Sequence, residues 1–235
     1  MSTDVARRAQ LHAAVSDPTR LRIVDDLAAS DRSPSELGAR LGIGSNLLAH
    51  HLDVLEHASI IKRFTSAGDG RRRYIRLAHD PAVRALAATA TPCGDLLFVC
   101  SHNSARSQLA AAIWGLRAGT AALSAGTHPA ARVHPGAIAA GHLVGVDLRD
   151  AVPRTVDRAL LDDPNVQVVT VCDQAHEELS PTAAWWHWSI PDPVTPHDTN
   201  PDEATDRAAF DAVVAEIGLR ISSLIQPAST TGVLS

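Results

Sequence analysis

The stretch Leu96–Leu109, LLFVCSHNSARSQL, constrains this chain more than any other. Leu96, Leu97, Phe98 and Val99 form a short unbroken apolar run, the pattern of a parallel strand covered on both faces. Cys100 follows, then Ser101, His102, Asn103, Ser104 and Ala105, then Arg106 and Ser107. From Leu109 to Leu116 the residues suit a helix. A strand ending in cysteine, a small polar loop and a helix opening on arginine make a cradle for an oxyanion. Backbone N–H groups of such a loop converge on one point, and the helix N-terminus adds partial positive charge. The same field favours a thiolate at Cys100. Arg106 brings a planar two-pronged donor to a tetrahedral anion. A bare C-x5-R spacing is weak and fits a structural cysteine near a surface arginine. The strand before it, the helix after it and Asn-Ser-Ala-Arg-Ser within it make it a site.

The rest of the second half alternates in the same way. Ala122–Thr127 reads as a strand and its turn, and Pro135–Val144 as a helix. Val166–Cys172 reads as a β-branched buried strand, Trp185–Ile190 as a fourth strand and Asp202–Ile225 as the last helix. Strands alternating with helices predict an α/β unit, a doubly wound four-stranded parallel sheet with helices on both faces. Its ligand belongs at the C-terminal ends of the strands.

Cys100, Asn103, Ser104, Arg106, Ser107 and Gln108 match the loop C-x-x-N-S-x-R-S-Q. In this the sequence resembles the low-molecular-weight protein tyrosine phosphatase superfamily, and within it the thiol-dependent arsenate reductases. The resemblance implies arsenate or phosphate as the ligand, held by residues 101–105 with Ser107, and Cys100 as nucleophile with Arg106 as clamp. Asp192, in Ile190-Pro191-Asp192-Pro193 after Trp188-Ser189, matches the family's Asp-Pro loop acid. Cys172 stands where the thioredoxin-linked reductases carry a second cysteine, but their third falls on Leu179. No tightly bound cofactor is expected. Instead an external thiol, mycothiol with mycoredoxin or thioredoxin, completes the cycle, and Cys172 as a plain core residue stays an open alternative. The phosphatase branch has Gly where His102 stands, a second cysteine at Ala105 and aromatic residues at Val194-Thr195. Gln108 after Arg-Ser also favours the reductase side. Ala111 replaces the acidic residue of the potassium-binding reductases.

The first ninety residues differ in kind. Residues 5–29 hold two helical patterns broken at Ser16-Asp17-Pro18, with Leu21, Ile23, Val24 and Leu27 as the buried face of the second. Ser33-Pro34-Ser35-Glu36 opens a third helix, Gly42-Ile43-Gly44 makes a turn, and Ser45–His57 follows with Leu48, Leu52 and Leu55 inward. Short helices across a glycine turn mark a helix-turn-helix. Ile60–Phe64 and Arg71–Leu77 flank Ser66-Ala67-Gly68-Asp69-Gly70 as a β-hairpin wing. His51, Leu52, Leu55, Ile60 and Ile61 match an H-L-x-x-L ending with its apolar pair, and the order resembles the ArsR/SmtB winged-helix repressors. The resemblance implies double-stranded operator DNA as partner and a homodimer built on the first helix and Asp80–Thr89. Ser45, Asn46, Leu47, Ala49 and His50 would face the major groove, and Arg71, Arg72 and Arg73 of the wing the phosphates. No metal site is expected, because residues 1–92 contain no cysteine and Asp80–Thr89 no histidine.

Charge divides the same way. Residues 1–90 hold 13 Lys/Arg against 10 Asp/Glu, and residues 91–235 hold 8 against 16. Three cysteines make no disulfide framework and no segment has the length of a membrane span, so a cytoplasmic protein with no membrane partner is expected. Lys62 is the single lysine beside 20 arginines, a usage that suits a high-GC source and hence mycothiol. The expected organisation is a winged-helix unit over 1–90, a linker over 91–94, a reductase-like unit over 95–227 and a flexible tail over 228–235. The expected function is a bifunctional arsenic-resistance protein, an arsenate reductase fused to its transcriptional regulator. An oxyanion-sensing repressor without turnover, or a phosphatase fused to a regulator, are the alternatives.

Overall fold

Asp17, Ser33 and Gly42 punctuate the first half of the computed structural model, which describes residues 3–194 and 203–225. The proposed tail over 228–235 lies outside these described residues. Helix α1 spans Thr3–Ala14. The Asp17 carboxylate accepts from the N–H groups of Thr19 and Arg20 and starts α2, Pro18–Leu27. Ser33 and Glu36 form a reciprocal capping box at α3, Pro34–Leu41. Gly42 ends that helix at φ 67°, which a β-carbon would resist, and α4 runs Ser45–His57. Strands β1 (Ile61–Thr65) and β2 (Arg73–Leu77) pair antiparallel, and a short α5 covers Pro81–Arg84.

Ile23, Val24, Leu27, Leu37, Leu48, Leu52, Leu55, Ile61 and Ile75 close a core between these helices and the hairpin. Leu21 is not part of it: 38% exposed, it faces away from the buried stripe of α2. Within Asp80–Thr89, Val83 is buried in this core and Leu86 and Ala87 pack against it half-buried.

The second half runs β3 (Asp95–Cys100), α6 (Arg106–Ala118), β4 (Leu123–Gly126), α7 (Pro135–Leu143), α8 (Arg158–Asp162), β5 (Val166–Thr170), α9 (Asp173–Leu179), β6 (Trp186–His187) and α10 (Glu203–Ile225). The strands form a parallel sheet in the order β4-β3-β5-β6. Helix α6 lies on β3 and β4 with α7 and α10 packed against it, while α8 and α9 lie against β5. Phe98, Val99, Val168 and Val169 are fully buried between the layers. β5 ends at Thr170 rather than Cys172, because Cys172 turns out of the sheet to cap α9. β6 is shorter than the 185–190 pattern, because its outer edge meets the first half of the chain. Among the described residues no helix is long and apolar enough to cross a membrane.

That meeting is extensive. Residues Ser30–Arg32, between α2 and α3, form a wedge between the two sheets. Arg32 and Ile75 of β2 exchange both backbone hydrogen bonds, and Asp31 N–H donates to the His187 carbonyl of β6 at 2.7 Å. Trp188 Nε1 donates to the Ala29 carbonyl at 2.9 Å, and an Arg32 guanidinium nitrogen to that of Trp185. The buried Asp31 carboxylate takes two 2.9 Å bonds from Arg220 of α10 and one of 3.1 Å from Arg76 of β2. At the wing tip, Glu177 accepts from Ser66, Asp69 N–H and Tyr74, and Asp173 from Ala67 N–H.

Candidate active site

Cys100 ends β3 in the middle of the sheet, and the loop that follows curls back over its sulfur. Cys100 Sγ accepts the Asn103 N–H at 3.2 Å and lies 3.0 Å from Ser107 Oγ. Asn103 Nδ2 donates to the same Ser107 oxygen at 2.8 Å, which leaves the Ser107 hydroxyl hydrogen free for the sulfur. Two donors on one sulfur suit a thiolate nucleophile. Asn103 organises this chain from φ 47°, a left-handed conformation that asparagine tolerates better than most residues. Its Oδ1 is fixed by Gln108 Nε2 at 3.1 Å and Arg154 N–H at 2.8 Å.

The loop's carbonyls are tied outward. Thr127, His128, Ala130 and His134 donate their N–H groups to the carbonyls of Cys100, Ser101, His102 and Ser104. This is the arrangement that an anion-binding nest requires, with α6 starting at its rim. Gly126 permits it: a β-carbon there would lie 2.7 Å from Ser101 O and 2.9 Å from Asn103 N.

Arg106 is buried and reaches across the strand ends. One guanidinium nitrogen donates to the Ile190 carbonyl at 3.1 Å, and the other pairs with the Asp192 carboxylate. The nucleophile, the clamp and the acid expected from the sequence therefore stand at one end of one sheet. Cys172 lies there too, just beyond the end of neighbouring β5, with Sγ 3.5 Å from Ser101 Oγ and accepting the Ala175 N–H. Burial pushes the Cys172 thiol up, Arg106 draws it down, and the charge of a Cys100 thiolate pushes it up again. Cys93 is exposed, beside the Pro164 carbonyl.

On the other half, Ser45, Asn46, Leu47, Ala49 and His50 are all exposed on α4, while His51 is buried beneath them. Arg71, Arg72 and Arg73 are exposed on the hairpin, but Arg71 pairs with Asp69 and Arg73 with Thr65. The wing tip itself rests against α9. Sequence reasoning did not anticipate that contact, nor the roles of Gln108, the Arg154 backbone and Asp31. Gln108 carries a family signal, whereas Ser-Asp-Arg between two helices reads as an ordinary loop.

Two family models match the chain: a helix-turn-helix domain over residues 15–63, and low molecular weight phosphotyrosine protein phosphatase over residues 95–229. Arsenate reductase 1 of Bacillus cereus is 35% identical over 132 residues, covering 54% of this chain and 90% of its own length. The transcriptional repressor SdpR of Bacillus subtilis is 35% identical over 48 residues, 20% of this chain and 53% of its own. Among solved structures, an arsenate reductase in the phosphate binding state is 26% identical, with a TM-score of 0.42 over 56% of this chain and 95% of that one.

Gly126→Ala is expected to push the loop out of shape. Overpacking of this kind costs about 1–3 kcal/mol, so inorganic phosphate should bind about tenfold or more weakly by calorimetry. Unchanged affinity would contradict this account of the loop.

Proposed function

The chain belongs to the low molecular weight phosphotyrosine protein phosphatase family, and on that footing we propose that it is a thiol-dependent arsenate reductase fused to a DNA-binding regulator. The observation that carries the enzymatic half is the Cys100 sulfur, held by Asn103 N–H and Ser107 at the foot of a helix that opens on Arg106. The arsenate reductase relatives, which align along most of their length, favour arsenic over phosphorus as the reacting centre.

In the proposed reaction the loop N–H groups and Arg106 hold the arsenate oxygens, and Arg106 exchanges part of its bond to Asp192 for the ligand. The Cys100 thiolate attacks arsenic, an As–O bond breaks, and Asp192 gives its proton to the departing oxygen, which leaves as water. A second thiolate then attacks Cys100 Sγ. The electron pair of the S–As bond goes to arsenic, reducing it from the +5 to the +3 state, and the two sulfurs become a disulfide. Arsenite leaves, and an external thiol system restores the pair.

Cys172 is the candidate for the second thiol because it lies just beyond the end of β5, the strand beside Cys100, at the start of α9. Burial is the main cause that holds the Cys172 thiol up, and the Arg106 guanidinium works against it in favour of the thiolate. Thioredoxin, or mycothiol with mycoredoxin, would reduce the resulting disulfide.

The exposed early residues of α4 support the DNA-binding half, as does the helix-turn-helix match. Every residue of α1 from Asp4 to Gln10 is exposed, which leaves that helix open to a second copy in the proposed dimer.

Arsenite release from arsenate, with each thiol system supplied separately, tests the enzymatic half. Cys100→Ser should abolish turnover, and Cys172→Ser should lower it by about a hundredfold or leave it dependent on the small thiol. Full activity of Cys100→Ser would sink the assignment. For the DNA-binding half, Arg72→Ala with Arg73→Ala should reduce the slope of log affinity against log salt by about 2, roughly one for each phosphate no longer neutralised. An unchanged slope would remove the wing from the interface.

A further inference from the structure

Asp192 belongs to the second half of the chain, yet the segment leading to it is held largely by the first. From His187 to Ile190 nearly every backbone polar group has a partner. His187 N–H donates to Ser30 Oγ at 2.8 Å, and its carbonyl accepts from Asp31 N–H at 2.7 Å. Trp188 N–H donates to the Thr170 carbonyl, and its ring Nε1 to the Ala29 carbonyl. The Ser189 peptide groups are gripped on both sides: its N–H donates to Asp31 Oδ2 at 2.8 Å, and its carbonyl accepts from Arg76 Nη2 at 2.5 Å. Asp31 and Arg76 also bond to each other at 3.1 Å. The Ile190 carbonyl accepts from Arg106, and two residues later Asp192 pairs with the same guanidinium.

Little freedom remains between this grip and the acid. Ile190 is anchored on both sides, its N–H donating to the Trp188 carbonyl, and Pro191 fixes its own φ. The direction in which Asp192 leaves the sheet is therefore set by the Ser189 peptide groups. A shift of about 1 Å in a catalytic group costs roughly a hundredfold in rate.

We propose that Asp31 and Arg76, both in the winged-helix half, are positioning residues for the catalytic acid Asp192, so that the DNA-binding unit is part of the construction of the active site. The inference rests on the role given to Asp192 under the proposed function. It differs from a purely structural role for Asp31, in which the carboxylate only ties Arg220 to the wedge, because the Asp31–Arg76 pair holds the N–H and carbonyl of one residue three positions from the acid.

The test uses the full chain with Arg76→Gln and, separately, Asp31→Asn. Arg76 is one-fifth exposed and its loss leaves the Asp31–Arg220 pair intact, so this variant keeps the test available if Asp31→Asn does not fold. Arg76→Gln should lower kcat for arsenate reduction about tenfold or more, while phosphate affinity and the rate of Cys100 alkylation by iodoacetamide stay within twofold. In an Asp192→Asn background the same substitution should cost less than a further twofold, because the residue it positions has lost its proton. Amide exchange at residues 189, 190 and 192 should accelerate about tenfold, with residues 100–107 unaffected. Multiplying losses in the Asp192→Asn background would overturn the proposal, and so would unchanged exchange at 189–192. A wild-type protein that releases no arsenite overturns the reductase reading instead, and the exchange measurement then decides the grip by itself.

Discussion

Burial alone pushes the Asp31 carboxyl up, and the guanidinium groups of Arg220 and Arg76 more than offset it, holding Asp31 below the usual carboxylate range. This buried carboxylate, on the wedge between α2 and α3, gathers partners from three other places in the chain: α10, β2 and the strand end at Ser189. A buried ion pair of this kind contributes little net stability, but removing one member leaves an uncompensated charge and costs about 3–5 kcal/mol. Its effect is to specify one arrangement of the two halves. Each half has its own apolar core, yet the contact between them is mostly polar and directional. The wedge, the wing tip on α9 and the Trp188 indole all depend on that single docking.

The chemistry of the second half has the opposite character. There the decisive interactions are local: five residues between a strand and a helix, a left-handed Asn103, and a Gly126 without which the loop would not fit. Cys100, Arg106 and Cys172 come from neighbouring strand ends, where a parallel sheet brings its loops together. Asp192 alone depends on a segment reached from outside that sheet. The two parts of the candidate site therefore depend on different things, the Cys100 sulfur on its loop and the Asp192 carboxylate on the interface.

This contrast explains what was legible beforehand. Residues 100–108 could be read directly because a nest needs small polar residues at fixed spacing, and α4 could be read because Leu48, Leu52 and Leu55 repeat with helical period. The alternation of strands and helices predicted the parallel sheet. What escaped reading was pairwise and distant. Nothing in Ser30-Asp31-Arg32 marks a partner at Arg220, and nothing in the wing marks Glu177 and Asp173 as its carboxylates. The pattern over 185–190 suggested a longer strand because it is apolar. The structure shortens it because Asp31 and Arg76 take the Ser189 hydrogen bonds that a further strand residue would have used.

The central claim is that the winged-helix and reductase-like halves form one body. Equilibrium urea unfolding followed by two probes tests it most directly. All four tryptophans, at 114, 185, 186 and 188, lie in the second half, while α1 to α4 of the first half contribute to the helical circular dichroism signal. The account predicts that tryptophan fluorescence and circular dichroism trace one coincident transition. Two separated transitions, with the tryptophans unchanged while helix is lost, would contradict it.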